Sequence, residues 1–178
     1  MKPLILNYPR DRRDDLNVAL KHLLPIHFST RLGGGKHSGG HRTDFDLHKK
    51  GIKEVGELIT WINSILPQVA AYYARLKKEE ECGFNAKGFK ITHMWGIRYD
   101  KGDCVRSHNH FPYTLSLGYY IYTPKGCSPL KVNNKKINVK AGQCIFFLGS
   151  SWHSIDPEPV GGRCLMAANI LYFMDDNV

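Results

Sequence analysis

Beyond Gly83 the chain breaks into short strand-like runs separated by turn residues, and this rhythm narrows the possible folds more than any other feature. Residues 89–99, 104–110, 114–122, 130–132, 135–139, 144–148 and 163–173 are rich in β-branched and aromatic side chains. Lys101-Gly102, Pro124-Lys125-Gly126, Asn133-Asn134, Ala141-Gly142 and Gly161-Gly162 punctuate them. The asparagine pair, flanked by two very short runs, is expected to turn a hairpin. Such strands behind a helical region predict a mainly β fold with N-terminal helices, its core a small antiparallel barrel or jelly roll.

Upstream the period differs. Residues 1–50 read as irregular, apart from a short helix carried by Leu16, Leu20, Leu23 and Leu24 and ended by Pro25. The glycine-rich stretch Arg31-Leu-Gly-Gly-Gly-Lys-His-Ser-Gly-Gly-His41 follows no apolar strand and lacks the Gly-Lys-Ser/Thr ending of a phosphate loop, so it reads as a flexible loop or active-site lid. From 52 to 81 apolar residues recur at three and four: Val55, Leu58, Ile59, Ile62, Leu66, Val69 and Tyr73 among them. Pro67 is expected to split or kink this helix, and a solvated Lys-Glu end closes it near Gly83. The whole, 1–178, is expected to be one domain: residues 1–85 an irregular segment with buttressing helices, 86–178 the β core.

Composition excludes several classes. An apolar content of 42% with 23% charged residues is that of an ordinary globular protein rather than a disordered one. No apolar run approaches the ~20 residues of a membrane span, and the N-terminal apolar stretch is too short for a signal peptide. The five cysteines are odd in number and without a CxxC pair, which argues against a disulfide framework and for a reducing, cytoplasmic setting. The net charge of +9 raises nucleic acid as a partner, yet the basic residues are dispersed and no nucleic-acid motif accompanies them. Solvated surface charge with a preference for an acidic substrate is the simpler reading.

The chemistry lies in His108-Asn109-His110, His153 and Arg163. Side chains at i and i+2 of a strand share a face, so His108 and His110 can enter one cavity. His153 follows a turn after an apolar strand and offers a third neutral nitrogen. Three imidazoles suit Fe(II), Zn(II), Ni(II) or Cu(II) and leave positions open for chemistry. Arg163, heading the next strand, is a permanent cation able to grip an anionic co-substrate bidentately. His41 and His93 are candidates only for lining a pocket. Trp95, Phe111, Tyr113, Trp152 and Arg106, close to the metal strands, are each candidates for the substrate pocket or for plain packing.

Four segments together carry a family resemblance. They are Tyr99-Asp-Lys-Gly-Asp-Cys-Val-Arg-Ser-His108-Asn-His110, Leu115-Ser-Leu-Gly-Tyr-Tyr-Ile121, Gly142-Gln-Cys-Ile-Phe-Phe-Leu-Gly-Ser-Ser-Trp-His153, and the run from Arg163 to Asn169. They resemble the Fe(II)/2-oxoglutarate-dependent dioxygenases, most of all the prolyl-hydroxylase-like branch. Small bacterial and phage members are similar further upstream, through Ser38-Gly-Gly-His-Arg-Thr-Asp-Phe-Asp-Leu-His48. The resemblance implies a double-stranded β-helix with Fe(II) at its mouth, held by His108, His110 and His153, and 2-oxoglutarate chelating the metal. It further implies that Arg163 holds the distal carboxylate, that Tyr99 and Tyr120 hydrogen-bond it, and that Asn169 points inward nearby. The implied reaction consumes O2, releases succinate and CO2, and hydroxylates a small-molecule or peptide substrate.

One departure from that family stands out: it usually has Asp or Glu where this chain has His110. Three neutral ligands leave the ion its full +2 charge, and an extra unit charge at about 4 Å is worth up to ~4 kcal/mol gross at an effective dielectric near 20. The site should favour an anionic co-substrate and disfavour higher iron oxidation states. The rival reading is a cupin-type three-His metalloenzyme, or a non-catalytic metal- or anion-binding module. Gly102-x5-His108-x-His110 and Gly142-x10-His153 match the two cupin motifs in part. Thr114 and Leu115, however, stand where the first motif expects Glu, and Arg163 has no cupin counterpart.

Overall fold

The computed structural model of the chain describes residues 2–32, 39–77 and 88–173. Eleven strands and two α-helices follow in the order β1 (Leu4–Asn7), α1 (Arg10–Leu23), β2 (Phe28–Leu32), β3 (Gly40–Thr43), α2 (Lys53–Lys77), β4 (Phe89–Tyr99), β5 (Val105–His108), β6 (Leu115–Tyr122), β7 (Leu130–Val132), β8 (Lys135–Ile137), β9 (Gln143–Leu148), β10 (His153–Ile155) and β11 (Arg163–Tyr172). A seven-stranded sheet runs β1-β9-β6-β11-β4-β3-β2, and a four-stranded sheet runs β5-β10-β7-β8. From β4 onward the chain passes repeatedly from the larger sheet to the smaller and back. That winding of antiparallel strands across two facing sheets is a double-stranded β-helix.

Both faces of the larger sheet are buried, so its central strands lack the alternation of a half-wet sheet. β6 is buried from Leu115 to Ile121. Period two then sorts its residues between two cores. Leu117, Tyr119 and Ile121 join Phe146, Met166 and the helices on one side, whereas Tyr120, Phe147 and Leu165 meet Leu130, Val132 and Ile155 of the smaller sheet on the other. The inner core thus forms the barrel, and the outer core seats α1 and α2. Leu58, Ile62 and Val69 of α2 are fully buried there, each contributing about 1.5–3 kcal/mol relative to exposure.

The first fifty residues differ from the irregular segment expected. They supply three strands, with β1 pairing β9 in the register Leu4↔Phe146 and β3 pairing β4 through His41↔Arg98. Four-residue strands leave too short a pattern to read alone, and their partners lie far along the chain. α2 continues unbroken through Pro67. Pro67 and Asn63, whose carbonyl loses its partner to the proline ring, both face solvent, where water can satisfy that oxygen. Asn133 and Asn134 have φ of 46° and 65° and join β7 to β8, as the hairpin reading anticipates. The glycine stretch 33–38 and the end of the long helical pattern beyond residue 77 lie outside the described residues.

Candidate metal centre

His108 closes β5 and His153 opens β10, and the two are direct register partners across that antiparallel pair. His110 reaches them differently from the expected strand alternation: β5 ends at His108, and His110 sits two residues beyond it in a loop. Its N–H donates to the Gly149 carbonyl at 2.7 Å, and its carbonyl accepts from Tyr113 N–H at 2.9 Å. Gly149 belongs to the turn between β9 and β10, so one loop pins the other. The result brings one nitrogen of each imidazole within 4.8 Å of the others. Among the described residues this is the one group of three or more His, Cys, Asp or Glu side chains able to hold a metal ion.

Hydrogen bonds fix two of the rings. His108 Nδ1–H donates to the Arg106 carbonyl at 2.9 Å, and His153 Nδ1–H to the Ser151 carbonyl at 3.3 Å. Each Nε2 therefore keeps its lone pair for a ligand. His153 Nε2 faces His110 Nε2 at 3.3 Å, a separation that two nitrogens can hold while both lie ~2.1 Å from one ion. Burial and the neighbouring His108 push His110 down to about 4; burial, His108 and His110 push His153 down to about 3. Both rings are thus neutral donors near neutral pH. The donor set fits a divalent transition metal and offers no charge of its own.

The imidazoles line a cavity of about 280 Å³. Its walls come from both sheets and include Tyr99, Tyr120, Ser116 and Asn169. Both phenols are raised by burial, with the Arg163 charge opposing. Asn169 accepts a hydrogen bond from Ser116 Oγ at 3.0 Å. Arg163 is fully buried but is not among the lining residues; its Cζ lies 5.4 Å from the centroid of the Tyr99 ring, which is. It is paired with Glu158, itself 1% exposed, and its Nη1–H donates to the Ser128 carbonyl at 2.5 Å.

Other candidates sort plainly. Trp95 lines the cavity, its ring centroid 6.1 Å from that of His110. Phe111 and Trp152 are exposed, and Tyr113 Oη bonds His93 Nδ1 at 3.1 Å away from the lining set. His41 joins Asp100 and Arg31 in a charged cluster. Arg106 is not in the lining. Asp103, which accepts Asp100 N–H at 2.7 Å, is no part of the ligand group. Sequence reasoning missed Arg42 and Phe45, which line the cavity with the guanidinium 3.9 Å above the phenyl ring. It also missed Glu158, a lone acid between two prolines with no pattern to mark it.

Two facing antiparallel sheets with three metal-competent imidazoles in the cavity between them make a double-stranded β-helix with a candidate metal centre. Comparison with models of known families gives no match, and comparison with curated proteins by sequence gives none. Among solved structures the chain is similar to a Pseudomonas putida prolyl-4-hydroxylase, with a TM-score of 0.66 at 13% identity over 96% of this chain and 92% of the other. It is similar to a Trichoplax adhaerens prolyl hydroxylase bound to a hypoxia-inducible-factor peptide fragment (TM-score 0.68, 14% identity, 94% and 82% covered). The epimerase SnoN, in complex with Fe3+, alpha ketoglutarate and nogalamycin RO, is similar as well (TM-score 0.72, 12% identity, 96% and 78% covered). The fold expected from the motifs is therefore borne out. Hydroxylation and epimerisation both occur among these neighbours.

Proposed function

We propose that this protein is a 2-oxoglutarate-dependent oxygenase that binds Fe(II) through His108, His110 and His153 and hydroxylates a small molecule or peptide. The observation that carries the reading is the convergence of three imidazole nitrogens on one cavity whose wall holds Tyr99 and Tyr120, with the Arg163 guanidinium packed against Tyr99. The metal, when bound, supplies the oxidising chemistry with O2 and the 2-oxo acid. The chain does the rest. His108 and His153 present Nε2 because backbone carbonyls hold Nδ1–H. The two phenols offer hydroxyl donors to an anion, and neither makes a hydrogen bond with another described residue. Trp95, Phe147, Leu165 and Ile155 exclude water from the cavity wall, which strengthens every electrostatic contact inside.

A second reading is favoured by one observation: Arg163 already has an anionic partner in Glu158. A three-His metalloprotein of cupin type, or a metal-binding module without 2-oxoglutarate, needs no free guanidinium. Anaerobic titration of the Fe(II)-loaded chain with 2-oxoglutarate separates the two. A visible metal-to-ligand charge-transfer band in the wild type, weakened in Arg163→Ala, is expected. Tight metal binding without such a band would select the second reading, and an identical band in both proteins would remove Arg163 from the anion site.

A further inference from the structure

Arg163 and Glu158 form the one ion pair among the described residues in which both side chains are fully buried. Glu158 Oε2 accepts Ser128 N–H at 3.1 Å while the Ser128 carbonyl accepts from Arg163, so backbone groups of one residue hold both partners in place. The pairing is imperfect on both sides, for Glu158 Oε1 makes no aligned hydrogen bond. Arg163 Nε and Nη2 make no aligned hydrogen bond, although Nη2 touches Glu158 Oε1. A buried guanidinium with an unused N–H beside Tyr99 is a group that a further acceptor would satisfy.

We propose that Glu158 is a specificity-determining residue: it is the internal counter-anion of Arg163, and the distal carboxylate of a 2-oxo acid binds by taking Arg163 from it. This inference rests on the reading above. Two carboxylates cannot both stay ionised around one buried guanidinium without strong repulsion, so Glu158 takes up one proton from solvent as the dianion enters. The groups that face it are Arg163 from β11, Asp103 from the loop before β5, Tyr99 from β4, Tyr120 from β6 and Cys127 from the loop after β6. Arg163 alone among them stabilises its charge. Burial already raises the Glu158 carboxyl, with Arg163 opposing, and Asp103 raises it further. The three-His centre omits a carboxylate at the metal, and Glu158 supplies one at the opposite end of the co-substrate. The site thereby favours the 2-oxo acid head and discriminates weakly for a charged tail.

The test uses the full chain loaded with Zn(II), so that no turnover occurs, and calorimetric titration with 2-oxoglutarate and with 2-oxopentanoate, which lacks the distal carboxylate. Glu158→Gln keeps the shape and an acceptor for Ser128 N–H. It is expected to tighten 2-oxoglutarate by about tenfold or more while leaving 2-oxopentanoate within about twofold. Wild type titrated in buffers of different ionisation enthalpy should take up close to one proton with 2-oxoglutarate and none with 2-oxopentanoate, a measurement that needs no variant to fold. Unchanged or weakened 2-oxoglutarate binding in Glu158→Gln, or no proton uptake in the wild type, overturns the assignment of Glu158 while leaving the oxygenase reading in place. If neither protein binds either 2-oxo acid, both fall.

Discussion

His108 and His153 are register partners on neighbouring antiparallel strands, and their ring centroids stand 4.2 Å apart. Two metal donors are thus set by sheet pairing itself, before any ion arrives. Metal binding should therefore stabilise the fold rather than reorganise it. At a free Zn(II) or Ni(II) concentration a hundred times Kd, linkage gives about 2.7 kcal/mol. For a chain of this size that raises Tm by roughly 5–10 °C. His153→Ala should lose the shift in a thermal melt; a shift of equal size in that variant would remove His153 from the ligand set.

His110 differs from the other two in being held by a loop. Replacing it with alanine should weaken divalent metal binding by about a hundredfold, ~2.7 kcal/mol. His110→Asp should retain binding, because a carboxylate can serve at the same corner and lowers the charge of the centre by one. Competition against a chromophoric chelator measures both. Equal affinity in wild type and His110→Ala would show that His110 is a bystander.

Gly149 is the residue through which the β9–β10 turn holds His110. A Cβ there would collide with the Tyr113 carbonyl, and the Gly149 carbonyl accepts the His110 N–H. Gly149→Ala should cost about 1–3 kcal/mol through overpacking. It should also weaken metal binding roughly tenfold by displacing a supporting contact. Full metal affinity despite the stability loss would show that the loop adjusts without moving the ring.

The pH dependence of the metal-free fold follows from His110 and His153, held down to about 4 and about 3 chiefly by burial. In the unfolded chain both titrate near 6.5. Between those values the unfolded state binds more protons, so stability rises with pH there, by about 1.4 kcal/mol per pH unit for each proton. The sign gives a fold at full strength above about 6.5 that weakens as pH falls toward 4 and below. Urea midpoints across pH 4–8 check this, and saturating Zn(II) should move the loss to lower pH. A midpoint that is flat from 7 to 5 would contradict it.

Tyr99 and Tyr120 offer a cleaner separation of binding from stability. Removing either hydroxyl leaves no described protein partner unpaired, so Tyr99→Phe and Tyr120→Phe should change stability by less than about 1 kcal/mol. Each should weaken 2-oxoglutarate binding to the Zn(II)-loaded chain by about five- to tenfold. Retained affinity in both variants would assign the phenols to packing.

Local pattern alone carried much of this protein. The two-residue period after Gly83 specified every strand but β10, the Asn133-Asn134 pair specified its hairpin, and the three-four spacing of 52–77 specified the face of α2 that packs on the sheet. These are properties of neighbouring residues, and neighbouring residues are what a sequence displays. His108 and Arg163 were legible for the same reason, each lying in or at the head of a recognisable strand, whereas His153 was read only from its place after a turn and opens β10, a three-residue strand too short to show a pattern. What needed the tertiary structure was every relation settled by distant partners. The β1 and β3 strands are too short to announce themselves and exist because β9 and β4 offer free edges. His110 reaches its place through a backbone bond to Gly149 rather than by strand alternation. Glu158 stands against Arg163 because the loops carrying Ser128 and Glu158 fold together. Burying a carboxylate costs so much that only the assembled surroundings, a guanidinium and a backbone N–H, decide whether it happens.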